Sequence, residues 1–210
     1  LRARHDQLGQ HHNLPASASI MRTLEEGGKG WVLKAFRDAA RTARLQELKT
    51  ALDGIEGKPE QCCMINYQPF DDKSRSDIRG TTSARRGNTV LMLAAMYGHS
   101  ETAAFLISRK ADVHLVNSYG QTALTLASMA GHVGIVSLLL REKAYVDVAD
   151  LEEATPLTHA VQRGHAAVAE ALIKTGRANV NISRGLQSPP LVHAVYWNHE
   201  SLVKILLESK

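Results

Sequence analysis

From residue 87 onward the apolar positions fall into short blocks of two alternating kinds. One kind is rich in small residues: "LMLAAM" (91–96), "ALTLASMA" (123–130), "PLTHAV" (156–161) and "PLVHAV" (190–195). The other is rich in leucine and isoleucine: "AAFLI" (103–107), "IVSLLL" (135–140), "VAEALI" (168–173) and "LVKILL" (202–207). Between the two kinds stands a small residue plus histidine, at 98–99, 131–132, 164–165 and 198–199, in steps of 33, 33 and 34 residues. This fixed period marks a repeated unit, and a chain plentiful in Ala and Leu with few aromatics favours helices, one for each kind of block. The extra residue behind the longer step sits in "KTGRANVN", a loop, where insertion costs little.

Residue types within a unit have local physical reasons. Thr89, Thr122 and Thr155 stand where a hydroxyl can accept from free N–H groups at the start of the first helix. Pro156 and Pro190 occupy an early helical position that needs no donor. The pattern has departures: Pro189 replaces threonine in the fourth unit, and Glu153 and Gln187 replace the turn glycine seen at Gly87 and Gly120, so those two turns are expected to be reshaped. Ala94, Ala127, Ala160 and Ala194 are small enough for neighbouring helices to approach closely. Leu138, Leu139 and Leu140, with Leu172, Ile173, Ile205, Leu206 and Leu207, form the predicted apolar face of the second helices. No unit can bury that face alone, so the units must stack into a solenoid.

The motifs "ATPLTHAVQRGH" and "KADVHLVNSYGQTALTLASMAGH" resemble the ankyrin repeat family, and four units in register span residues 84–210. The resemblance implies an all-α helical solenoid with short finger-like turns. Before the clear units, "LKAFRDAARTARLQELKTALDG" (33–54) aligns Ala39-Ala40 with Ala94-Ala95 and carries Leu45, Leu48 and Leu52 at helical spacing, with Gly54 placed to end its second helix. We read residues 31–56 as a divergent N-terminal repeat capping the stack. Ala39 and Ala94 lie 55 residues apart, so about 22 residues are inserted, and the polar segment 57–83 is expected to extend one finger-like loop. Residues 1–30 form an extended polar and basic arm with little apolar surface of their own, expected to be held by the convex side of the stack or by another subunit. At the other end "LVKILL" has no following cap, so either further chain or a partner is expected to complete the stack.

Charge and cysteine usage narrow the function classes. The formal net charge of +4 lies in residues 1–86, with 15 Lys and Arg against 11 Asp and Glu; residues 87–210 balance at 10 each. Four charges interleaved with acids fall short of the dense basic stripe that nucleic-acid binding uses. Cys62 and Cys63 are adjacent and alone, so no disulfide framework exists and the expected compartment is reducing and intracellular: cytoplasmic, or organellar if Leu1 is a processed N-terminus. No apolar run is long enough to span a bilayer as a helix.

Candidate chemistry is sparse. The chain has no G-x-S-x-G, no phosphate-binding G-x-x-x-x-G-K-[ST] and no kinase motif set, so no catalytic residue is assigned and no enzyme activity is expected. "EEGGKG" (25–30) lacks the preceding apolar strand of a phosphate loop and reads as a flexible joint. His99, His132, His165 and His199 recur with the unit, as scaffold residues do, and are expected to hydrogen-bond around the turn between the two helices. His159 and His193 share one unit position and admit two readings, a shared metal ion or a bland pair of hydrogen-bonded imidazoles. The adjacent pairs His11-His12 and Cys62-Cys63 lack the spacing that lets two side chains converge on one ion. No metal or cofactor is assigned.

The family resemblance implies protein binding through finger tips and the outer ends of first helices. In register these are Arg85, Arg86, Asn88, Met96 and Tyr97, then Ser118, Tyr119, Gln121 and Met129, and then Leu151, Glu152, Gln162, Arg163, Leu186, Tyr196 and Trp197. In a chain with 5 tyrosines and 2 tryptophans, this concentration of aromatics beside arginine is what interface hot spots use. The expectation is a non-enzymatic protein-interaction module, an accessory or scaffold subunit of a larger complex. Two alternatives stand beside it: a nucleic-acid-associated subunit contacting phosphates through the basic arm and insertion, or the regulatory or targeting part of a longer enzyme or channel.

Overall fold

The computed structural model describes residues 38, 40–42, 44–53, 65–66, 87–175, 177–183 and 188–209. Among the described residues there are nine α-helices and no strand. Helix α1 (Leu45–Asp53) precedes four helix pairs: α2 (Val90–Tyr97) with α3 (Ser100–Ser108), α4 (Ala123–Ala130) with α5 (Val133–Arg141), α6 (Pro156–Gln162) with α7 (Ala166–Lys174), and α8 (Pro190–Tyr196) with α9 (Glu200–Glu208). The first helices pack side by side in one layer and the second helices in another, so the core runs as a continuous seam between the layers. No helix among the described residues is long and apolar enough to cross a membrane.

Each first helix begins where its sequence says. The Oγ1 atoms of Thr89, Thr122 and Thr155 accept the backbone N–H groups of Met92, Thr125 and Thr158 at 3.2, 3.1 and 3.3 Å, satisfying one of the orphan donors of each helix start. Pro156 and Pro190 each take the first helical position. Pro189 offers no hydroxyl, and the last first helix, α8, has no side-chain cap. The finger turns are alike in the second and third units. Asn117 Oδ1 accepts the N–H groups of Tyr119 and Gln121, both at 2.9 Å, and Asp150 Oδ1 accepts those of Glu152 and Ala154 at 2.9 and 3.1 Å. Glu153 does not reshape its turn: it adopts the left-handed conformation of Gly87 and Gly120, with φ 62° against 70° and 75°. Gln187 lies outside the described residues.

The alanines Ala94, Ala127, Ala160 and Ala194 are fully buried, which lets the first-helix layer close. In the second helices Leu106, Leu139, Leu172 and Leu206 are buried together with residues of the preceding turn, such as Ala103, Ile135, Val136, Val168, Ala169 and Leu202, while Leu138, Leu140 and Ile173 are only partly covered and Leu207 is 48% exposed. The predicted apolar face is therefore narrower than its sequence run, because a second helix touches neighbours on one stripe only.

The recurring histidines act between units rather than around their own turn. None of the four makes a side-chain cap bond to the helix it precedes. Instead His165 Nε2 donates to the Met129 carbonyl of the preceding unit at 3.2 Å, and His99 Nε2 to the Arg41 carbonyl at 2.7 Å. The rings also lie flush against the preceding turn glycines. A Cβ on Gly98 would stand 2.6 Å from the His132 ring, and one on Gly131 or Gly164 would stand 2.8 Å from the rings of His165 and His199. The "GH" of one unit is thus half a lock and half a key: its glycine receives the next unit's imidazole while its own imidazole reaches back.

The Arg41 carbonyl lies 58 residues ahead of its histidine, against 36 for Met129, a difference of 22 residues. Ala40, Leu48, Leu52 and Ile65 are buried in the same core, and Asn66 Oδ1 accepts the Asp112 N–H at 2.9 Å.

Candidate functional site

The finger tips and first-helix ends form a surface whose members the scaffold displays unequally. Tyr97 is 40% exposed and stacks on His99 with ring centroids 6.2 Å apart. Met96, Tyr119, Gln121, Met129 and Gln162 are half-buried; Ser118, Leu151, Glu152, Arg163, Tyr196 and Trp197 are exposed. Arg85, Arg86 and Leu186 lie outside the described residues. Asn88 is a correction. It is fully buried, and its Oδ1 accepts from Asn117 Nδ2 at 2.8 Å, so it braces two neighbouring fingers instead of facing a partner.

Adjacent units join these positions into a surface. The Leu151 N–H donates to the Tyr119 carbonyl at 2.9 Å, fixing one finger tip against the next, and Gln121 Nε2 lies 3.7 Å from Met129 Sδ. At the C-terminal end Tyr196 and Trp197 meet edge to face with centroids 5.1 Å apart. Together with Gln162, Ser188, Val192 and His193 they line a shallow groove of about 450 Å³. Of the positions that register alone selects, Gln162, Tyr196 and Trp197 converge here; Met96 and Tyr97 sit two units away.

His159 and His193 make different contacts. His159 is buried and its Nε2 donates to Asp150 Oδ2 at 2.7 Å. Burial alone would raise the Asp150 carboxyl, but the His159 hydrogen bond and charge, with the N–H groups of Ala154 and Glu152, outweigh it and hold Asp150 below the ordinary carboxylate range. His193 instead faces Gln162 Nε2 at 3.5 Å, and burial lowers its imidazole pKa, offset in part by a backbone hydrogen bond at Ser188. The second and third units solve the same contact in two ways. Where the finger residue is Asn117 the helix carries Leu126, and where it is Asp150 the helix carries His159, because a buried carboxylate needs a donor that a buried amide does not. No group of three or more His, Cys, Asp or Glu among the described residues is arranged to hold a metal ion.

A repeated helix pair, a left-handed finger turn and a histidine keyed into the preceding turn define the unit. A family model described as ankyrin repeats, 3 copies, matches residues 62–150 and 143–210. The chain belongs to the ankyrin repeat family. Ankyrin repeats are generally protein–protein interaction modules and typically non-enzymatic binding modules. A comparison with curated proteins finds no match.

Sequence reasoning passed over Tyr145. It is 57% exposed, with its ring 4.2 Å from that of His114 at the loops following the second helices. Its signal was present in the register: the units read "ADV" at 111–113 and "ANV" at 178–180 but "AYV" at 144–146, an aromatic where the others carry a short polar side chain.

Proposed function

We propose that this ankyrin-repeat chain is a non-enzymatic adaptor that holds a protein partner against its finger tips and first-helix ends, as a scaffold or accessory subunit inside the cell. The observation that carries this reading is the exposed Tyr196–Trp197 pair beside the Gln162 groove. Two large aromatics presented on a rigid helix end bring contact area at little entropic cost, which is how hot spots work. Tyr97, Tyr119, Leu151 and Arg163 extend the same surface along the stack, with Met96, Gln121, Met129 and Glu152 as its margin, and Arg85, Arg86 and Leu186 join it by sequence register.

Residues 31–56 are taken as a first, divergent unit. The support is the His99–Arg41 bond, displaced by the length of the insertion, and the burial of Ala40, Leu48 and Leu52. The inserted segment then divides in two. The Asn179 N–H donates to Asp147 32 residues earlier, whereas the Asp112 N–H donates to Asn66 46 residues earlier, so about 14 of the extra residues follow Asn66 and the rest precede it. Cross-linking mass spectrometry on complexes purified with the full chain tests the binding surface: cross-links and footprints should concentrate at Tyr119, Gln162 and Trp197. Trp197→Ala should weaken capture of the principal partner by about 1–3 kcal/mol with helical content unchanged. Undiminished capture by Trp197→Ala and Tyr196→Ala together would place the interface elsewhere.

A further inference from the structure

Two of the four left-handed non-glycine residues, and an aromatic that breaks the register, lie on the opposite edge, where α3 and α5 end. Lys110 and Lys143 occupy equivalent positions just past these helices, both exposed and both left-handed, with φ 68° and 60°. An L side chain is strained there and glycine is not; at the same place in the third unit the sequence has Gly176. The third departure is Tyr145. At its position Asp112 Oδ1 accepts the His114 N–H at 2.8 Å, and Asn179 Oδ1 accepts the Asn181 N–H at 3.0 Å, turn bonds that a tyrosine cannot make. Two strained lysines and a misplaced tyrosine stacked on His114 thus stand side by side on neighbouring units, and the fold itself requires none of them. Strain kept where glycine would serve motivates a functional reading, and here the exposed charge and the unmatched aromatic stand beside it.

We infer that this edge is a second docking surface, for an acidic extended segment of a protein partner, with carboxylates on Lys110 and Lys143 and an apolar side chain on the Tyr145 ring. Charge complementarity fixes the class. Of the neighbouring acids, Asp147 accepts the Asn179 N–H, Glu170 pairs with Lys174 at 2.7 Å and Asp112 holds its turn, while Glu142 beside Lys143 is exposed. Lys110 and Lys143 have no ionic partner among the described residues. Packed helices lie about 8–10 Å apart. An extended chain advances about 3.3 Å per residue with alternate side chains on one face. Carboxylates four residues apart therefore span about 13 Å, with an apolar side chain midway on the same face, within reach of two long, flexible lysines. Nucleic acid fits less well, since its closely spaced phosphates call for an unbroken run of cations, whereas Lys110, Arg141, Lys143 and Arg177 are interspersed here with Asp112, Glu142 and Asp147.

The test uses the full chain and fluorescein-labelled decapeptides in which every second residue is Ser and the positions between alternate Glu with Leu, Phe or Ser, so that both kinds share one face. Binding is read by fluorescence anisotropy, with a labelled single-stranded oligonucleotide in parallel. Wild-type protein should bind the Leu or Phe peptides saturably and the Ser peptide more weakly. The double variant Lys110→Gly/Lys143→Gly should bind about tenfold more weakly while its thermal midpoint stays level or rises, because glycine relieves the strain; the loss is then not a folding defect. Tyr145→Ala should erase the preference for Leu or Phe over Ser. Trp197→Ala should leave this binding unchanged, which separates this surface from the finger surface. Equal binding by wild type and the glycine double variant, no saturable binding up to about 1 mM, or lysine-dependent binding of the oligonucleotide in preference to every peptide would each overturn the assignment.

Discussion

The third and fourth units occupy the same register and differ in what covers them. Val161 in α6 is fully buried, whereas its counterpart Val195 in α8 is 62% exposed; Thr158 is buried and Val192 is not. Gly164 receives the His199 ring, while the fourth unit has Asn198 at that place, left-handed at φ 55°. Thr155 caps its helix and Pro189 cannot. Even the shared boundary is looser, since His199 Nε2 is buried without a hydrogen-bond partner among the described residues. One sequence pattern therefore yields a third tile covered by the next and a fourth whose outer face is exposed among the described residues, and the difference lies in neighbours, not in local propensity.

The sharpest way to break this comparison is to place the same change in both units. Val161→Asp should cost more than about 4 kcal/mol, because it buries an unpaired charge, whereas Val195→Asp should cost less than about 1 kcal/mol at a solvated site. Urea denaturation of the two variants measures both; similar losses would mean that the fourth face is covered. Next in size is the histidine lock. Gly131→Asn should cost about 2–4 kcal/mol from left-handed strain and collision with the His165 ring, while Asn198→Gly should be neutral or stabilising, since glycine takes the left-handed conformation without strain.

The Asp150–His159 pair comes third. His159→Leu alone strands a buried carboxylate and should cost about 2–4 kcal/mol. The double variant Asp150→Asn/His159→Leu copies the Asn117 and Leu126 arrangement of the second unit and should recover most of that loss in a double-mutant cycle. The pH sign follows from the depressed Asp150 carboxyl. Its contribution to stability is fully present above the ordinary carboxylate pKa of about 4 and is lost as pH falls through the lower folded value. Asp150→Asn should therefore flatten the acid limb of the stability curve and leave the neutral region's slope unaltered. Smallest are the caps: Thr155→Ala should cost about 1 kcal/mol, and Pro189→Thr should return a part of that amount to the fourth unit, both visible as shifts in thermal midpoint.

Much of this architecture was legible from residue identity alone. The period and the small alanines recur in every unit, the threonine caps in three and the N1 prolines in two, so the sequence states these local requirements several times over. The finger and helix-end positions followed from register too, although register could not tell Asn88, buried between two fingers, from its exposed neighbours. The histidines show the limit most plainly. Their recurrence marked them as scaffold, but their partners are a carbonyl 36 or 58 residues earlier and the turn glycine of the unit before, contacts that exist only once the units stack. Tyr145 and the strained lysines lay in the register as mismatches whose meaning depended on backbone dihedrals and on which rings meet.

By itself, then, the sequence determined the unit: its length, its two helices, its caps and the small residues that let copies approach. Only the tertiary structure decided which apolar residues are core and which are surface, how each histidine finds its partner, and why Val161 and Val195 differ. The physical reason is that unit-level order is local and encoded within each period, whereas burial in a solenoid belongs to the interface between neighbours and is absent from either unit alone.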